Sequence, residues 1–141
     1  MTVYAETSAV LAWLLNEPSG SQVAAFLRPP APVVASDLTL IECDRTLLRL
    51  ARQRPDSAAD SDVLRSRLAA VTAGWAIEPV VGPVVDRARS PFPDDAIRAL
   101  DAIHLATAVV VRASIGDLDV LSLDERVRSN ALALGFRVLP D

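Results

Sequence analysis

At 141 residues the chain has the size of one domain and can bury one sizeable core, so residues 1–141 are expected to form a single domain. A net charge of −4 argues against coating nucleic acid through bulk positive charge, and any such contact has to be local. All 14 basic residues are arginine, which excludes a Walker A lysine, a Schiff-base lysine and a receiver-domain lysine. One cysteine, Cys43, excludes an internal disulfide and cysteine-rich zinc sites, and one histidine, His104, leaves little material for histidine-rich metal sites or nucleophile triads. Although 51% of the residues are hydrophobic, no stretch approaches the roughly twenty apolar residues of a membrane span. Met1 to Glu6 shows neither the basic nor the long apolar part of a signal peptide, so a reducing cytoplasm is expected.

In chain order, Val3 to Glu6 reads as a short strand, followed by helices from about Ser8 to Leu15 and Ser21 to Leu27, stopped by Pro29 and Pro30. Val33 to Ala35 reads as a second strand. Ser36, Asp37 and Thr39 then offer caps for a long helix reaching about Gln53, ended by Pro55. Ser57 to Ala73 has helical character with Gly74 as the residue just past its end, and Ala76 to Glu78 is a weaker third strand. Gly82 and Pro83 predict a turn before a short helix from Val84 to Arg89, and Leu100 to Ala113 is an apolar helix that has to be largely buried. Asp119 to Leu123 predicts a fourth strand, Asp124 a cap for a helix to Leu134 closed by Gly135, and Arg137 to Leu139 a last short strand. Strands alternating with helices predict an α/β fold, a mainly parallel sheet of four or five short strands covered by helices. In such sheets ligands collect beyond the carboxyl ends of the strands, where Glu6 and Asp124 fall.

What the chain has in plenty is carboxylate. Glu6 reads either as part of a helix-capping region or as a group facing the crevice, and Asp124 is equally a natural N-cap and a candidate ligand. Glu42 shares a helical face with Arg45, Thr46 and Arg49, which makes it either a member of a solvated salt-bridging face or an acid beside arginines that meet phosphate. Asp101 is the anomaly, because His104 and Thr107 are the only other polar side chains between Leu100 and Val111. A buried carboxylate needs a partner, a hydrogen bond or a metal. His104, one turn on, offers one partner and the backbone N–H groups of the first turn another. His104 itself reads as a core or hydrogen-bonding residue rather than a ligand. Oxygen donors suit a hard divalent cation that retains waters and binds phosphate, and such a site suits phosphodiester hydrolysis without histidine or lysine.

Taken together, Tyr4-Ala5-Glu6-Thr7-Ser8-Ala9, Ser36 to Leu48 around Glu42, Leu100 to Ala108, Leu121 to Arg126 and the closing Ala131 to Phe136 resemble the PIN-domain family, and most of all its VapC toxins. The resemblance runs in order over nearly the whole chain and is most specific from Leu100 to Ala108. It implies a PIN-like fold and a magnesium- or manganese-dependent endoribonuclease acting on RNA. It also implies a homodimer, neutralised by a cognate VapB-type antitoxin encoded beside it. The family's metal ligands map onto Glu42, Asp101 and Asp124, with Glu6 where the family normally carries aspartate. Ser8 matches a small polar residue near the metal, and Ser122 an orienting group for the last acid or a metal-bound water. Arg45 and Arg49 are candidate phosphate contacts.

Two other readings stay open at this stage: a catalytically weakened PIN module that acts mainly by binding a partner, and a structure-specific DNA nuclease, since the same acids would cleave either polymer. Six aromatic residues are too few for a base-stacking platform, so selectivity is expected from RNA shape.

Overall fold

Three consecutive residues, Val3, Tyr4 and Ala5, are all fully buried, yet their side chains enter two different hydrophobic clusters. A strand can do this only where both faces of its sheet are covered, since successive side chains point to opposite sides. The computed structural model describes residues 1–141 apart from the side chain of Ser57, and places this strand, β1 (Val3–Ala5), at the centre of the sheet. The remaining elements are α1 (Thr7–Leu14), α2 (Gly20–Phe26), β2 (Val33–Ser36), α3 (Asp37–Gln53), a 3₁₀ turn at Pro55–Ser57, and α4 (Ala58–Thr72). They continue with β3 (Ala76–Glu78), α5 (Gly82–Ala88), α6 (Ala99–Ile115), β4 (Asp119–Leu121), α7 (Glu125–Ala133) and β5 (Val138–Leu139).

The sheet runs in the order β3-β2-β1-β4-β5, and every neighbouring pair is parallel. Tyr4, Val34, Val120 and Val138 face a cluster completed by Val84 of α5, Leu105 and Ala106 of α6, and Val127 and Ala131 of α7. Val3, Ala5, Val33, Leu121 and Leu139 face the other, completed by Val10 of α1, Val23 of α2, Cys43 and Leu47 of α3, and Leu68 of α4. This is the α/β architecture with a covered parallel sheet that the alternation of elements predicts. Strand order reverses between β1 and β4, because the chain adds β2 and β3 on one side of β1 and then returns to the other. A crevice opens beyond the carboxyl ends of two strands at such a reversal. Among the described residues no helix is long and apolar enough to cross a membrane.

Several boundaries differ from the sequence reading for local reasons. Pro83 lies inside the first turn of α5 rather than before it, as a residue without a backbone donor can. The fourth strand stops at Leu121 instead of Leu123, where Ser122 and Leu123 turn away to meet β1 and α1. Gly135 closes α7 with a φ of 81°, but Gly74 does not adopt the left-handed conformation after α4, which ends through short-range bonds from Gly74 N–H to Val71 and from Trp75 N–H to Thr72.

The junction of α1 and α2 is closely packed. A Cβ on Gly20 would stand 2.5 Å from the carbonyl oxygen of Ala12, so only glycine lets the two backbones approach this far. Gly20→Ala is expected to destabilise the fold by about 1–3 kcal/mol through forced separation of α1 and α2. Urea denaturation checks this, and an unchanged midpoint would refute it.

Candidate active site

Glu6 is the first residue beyond β1 and the N-cap of α1. Its N–H donates to Leu121 O at 3.0 Å, which extends the pairing of β1 with β4. Its side chain is only 5% exposed and folds back over the first turn, so that Oε2 accepts from Ser8 N–H at 3.1 Å, from the Ser8 hydroxyl, and from Ser122 Oγ at 2.8 Å. A cap bond of this kind ordinarily belongs to a shorter side chain, and the extra methylene of glutamate is taken up in the bend. Ser122 also accepts from Asp124 N–H at 3.1 Å, and Ser8 Oγ accepts from Leu123 N–H at 2.9 Å. The two serines therefore lace the end of β1 to the end of β4. Asp124 caps α7, its Oδ1 accepting from Arg126 N–H at 2.9 Å and Val127 N–H at 3.3 Å.

Glu42 arrives from α3. Ser36 caps that helix through Leu38 N–H, and the hydroxyl of Thr39 donates to Ala5 O at 3.2 Å, fixing the start of α3 against the end of β1. Glu42 Oε1 accepts from Thr7 Oγ1 at 2.7 Å and from His104 Nε2 at 2.6 Å. The reading of Glu42 as part of a salt-bridging face with Arg45 and Arg49 is therefore corrected: its partners come from α1 and α6, and no described ion pair joins it to either arginine. Burial pushes the Glu42 carboxyl up, but hydrogen bonds from His104 and Thr7, together with the charge of Arg98, outweigh it and hold the group below the usual glutamate range.

Asp101 lies in the first turn of α6 and is 8% exposed, with Oδ2 accepting from Arg98 N–H at 3.2 Å and standing 3.8 Å from Arg98 Nε. Of the two partners open to it in the sequence, the helix-end backbone is the one it uses. His104 is instead engaged by Tyr4, Thr7 and Glu42, and no described contact joins it to Asp101. Arg98 connects the acids in another way, pairing with Asp101 while its charge reaches Glu42.

The four acids share one feature. Their described hydrogen bonds fall on a single oxygen each, Glu6 Oε2, Glu42 Oε1, Asp101 Oδ2 and Asp124 Oδ1. No buried side-chain nitrogen or oxygen lacks a partner among the described residues, so the four remaining oxygens open to solvent. No three His, Cys, Asp or Glu side chains among those residues stand close enough to enclose an ion. The donor set is nevertheless all oxygen and half-satisfied, which fits a hard cation that binds through one or two carboxylates and keeps its waters.

A PIN domain family model matches residues 3–134. The chain belongs to the PIN-domain family. Ribonuclease VapC46 of Mycobacterium tuberculosis is 32% identical over 97% of this chain and 95% of its own length. Among solved structures, VapC20 of M. tuberculosis, described as a sarcin–ricin loop cleaving toxin, has a TM-score of 0.58 at 18% identity and covers 96% of either chain. VapBC2 from Rickettsia felis, bound to a DNA fragment from its promoter, has a TM-score of 0.62 at 9% identity over 98% of this chain and 97% of that one. At these identities the solved structures attest the PIN-like fold.

Thr7 and Tyr4 went unnoticed in the sequence as partners of the site. A hydroxyl one residue beyond a strand-end acid is a weak signal, and the Tyr4 hydroxyl finds His104 across a hundred residues. Arg128 was missed as well. It donates to the carbonyls of Ser122 at 2.7 Å, Leu139 at 3.2 Å and Pro140 at 2.9 Å, and so holds the ends of β4 and β5.

The depressed Glu42 carboxyl sets an acid limit. Its ionised form stabilises the fold above the ordinary glutamate value of about 4.3, and the contribution is lost as pH falls through the lower folded value. Glu42→Gln is expected to flatten the fall in Tm between about pH 5 and pH 3 relative to the parent. Parallel melting curves over that interval would contradict it.

Proposed function

We propose that the chain is the toxin of a type II toxin–antitoxin pair and acts as a metal-dependent endoribonuclease that hydrolyses RNA phosphodiester bonds. The observation that carries this reading is the convergence, in a PIN-domain chain, of Glu6 and Asp124 on the carboxyl ends of adjacent strands at the reversal of the sheet, with Glu42 bound to the same α1 turn. The relative named ribonuclease VapC46, similar from end to end, supports the choice of RNA over DNA.

Glu6, Glu42, Asp101 and Asp124 would line a site for magnesium, or manganese, one or two of them binding the ion directly and the others through its waters, with the oxygens their protein donors leave free. When bound, such an ion supplies an activated water and neutralises charge on the phosphodiester. The chain's own residues supply the placement. Ser8 and Ser122 fix Glu6, Thr7 fixes Glu42, and the N-termini of α6 and α7 fix Asp101 and Asp124. Arg45 and Arg49, exposed on α3 and outside every described ion pair, lie one and two turns beyond Glu42 and are suited to the phosphates of the bound strand. One domain, residues 1–141, carries this activity in the cytoplasm. Its partners are RNA, a second copy of the chain, and a VapB-type antitoxin, for which the VapBC2 assembly of R. felis is the support. An arginine of the antitoxin would compete for the acids, because guanidinium pairs bidentately with carboxylates.

Asp101→Asn is expected to lower magnesium-dependent cleavage by roughly a hundredfold or more while the far-UV spectrum stays unchanged, since the amide keeps the shape but loses the charge a cation needs. Purified protein incubated with defined RNAs, with magnesium or with chelator, is the direct test, and undiminished cleavage by the variant would defeat the assignment. Binding of uncleaved RNA in chelator gives a separate check. Arg45→Ala and Arg49→Ala should each reduce the slope of log affinity against log salt by about one, and an unchanged slope would remove these arginines from the RNA path.

A further inference from the structure

Two aromatic side chains with polar atoms lie deeper than any of the four acids. His104 is 2% exposed and Tyr4 1%, and the two stand edge to face with ring centroids 6.1 Å apart. Tyr4 Oη lies 2.8 Å from His104 Nδ1, while His104 Nε2 lies 2.6 Å from Glu42 Oε1 and 3.1 Å from Thr7 Oγ1. Tyr4 is on β1, Thr7 on α1, Glu42 on α3 and His104 on α6, so this chain of contacts passes from one helical layer to the other at the central strand.

We infer that Tyr4 and His104 are positioning residues that hold the Glu42 carboxylate in one orientation, through a hydrogen bond from the Tyr4 hydroxyl to Nδ1 and another from Nε2–H to Oε1. The inference deepens the proposed reaction and rests on the reading of Glu42 as a metal ligand. A neutral imidazole donates from only one nitrogen, so whatever occupies the other nitrogen chooses which one donates. A tyrosine hydroxyl carries its proton at neutral pH and can donate, and the Tyr4 Oη to Nδ1 distance of 2.8 Å is that of such a bond. With that proton given to Nδ1, the imidazole proton is left on Nε2, aimed at Glu42. Thr7 donates to the same oxygen at 2.7 Å, so Oε1 is saturated and Oε2 is the oxygen left for a cation. Glu6 Oε1, 3.9 Å from Nε2, lies beyond hydrogen-bond reach and leaves the relay directed at Glu42.

The relay makes no contact with substrate, so its effect should fall on metal affinity, where groups that orient a ligand typically contribute 10- to 100-fold. Manganese binding to full-length protein, followed by water-proton relaxation, is expected to weaken more than tenfold in His104→Leu and several-fold in Tyr4→Phe. His104→Gln, whose amide nitrogen reaches the place of Nε2, should recover most of the loss. A purely structural role predicts the opposite ordering of remedies, because glutamine restores neither the ring volume nor the packing against Tyr4. Nitrogen chemical shifts of His104 in the metal-free parent supply a second readout that does not depend on metal: the pattern of an Nε2-protonated imidazole, lost in Tyr4→Phe. Folded His104→Leu protein that binds manganese within about twofold of the parent would overturn the inference, as would an Nδ1-protonated ring in the parent. A parent that takes up no manganese would strike the proposed reaction instead, and the nitrogen shifts would then decide the relay alone.

Discussion

Everything at the candidate site depends on one constraint, the complete burial of β1 on both faces and both edges of a parallel sheet. Val3 and Tyr4 are paired with β2 on one side, all three residues with β4 on the other, and a layer of helices lies above and below. A strand so enclosed has no place for charge along its length, and the first position where a carboxylate can stand is the residue after it. Glu6 occupies that position, where the N-terminus of α1 and the end of β4 supply donors. The reversal of strand order beside β1 then brings Ser122 and Asp124 to the same place. The site is thus a consequence of the sheet's topology rather than of any local motif.

The acids are held by a division of labour within each carboxyl group. One oxygen is committed to protein donors and the other is left open, which is how a ligand can be both rigid and available. For Asp101 and Asp124 the donors are the free N–H groups at helix starts, the same groups that make a helix N-terminus hospitable to negative charge. Capping and metal binding, which look like rival explanations of an acidic residue in sequence, are compatible uses of two different oxygens. Glu6 extends this to a longer side chain, because its bend over Ser8 places the carboxylate near its own helix start.

Tyr4 and His104 add a device of another kind. The remaining partners of the acids are backbone amides, serine or threonine hydroxyls and the Arg98 guanidinium beside Asp101, whereas the imidazole transmits a preference from one nitrogen to the other. Buried polar pairs of this sort are costly unless every donor and acceptor is met. The described residues contain no unmet buried side-chain atom, so the pair can be kept in the core.

The sequence alone carried the order of strands and helices, the parallel sheet and its covered faces, because hydrophobic periodicity and capping residues act over a few neighbours at a time, while the choice of acids rested on the resemblance to the PIN-domain family. Asp101 stood out in an apolar helix for the same local reason. What only the tertiary structure decided was which groups those acids would meet. Glu42 reads from its own helix as a partner of Arg45 and Arg49, three and seven residues on, but α6 brings His104 to it across 62 residues and the arginines are left to solvent. Asp101 reads as a partner for either His104 or the backbone of its own first turn, and packing decides for the helix start, while His104 turns to Tyr4, a hundred residues away. Local spacing determines which face of an element a side chain occupies. The packing of elements distant in sequence determines what that face touches, and the chemistry of a carboxylate depends on what it touches.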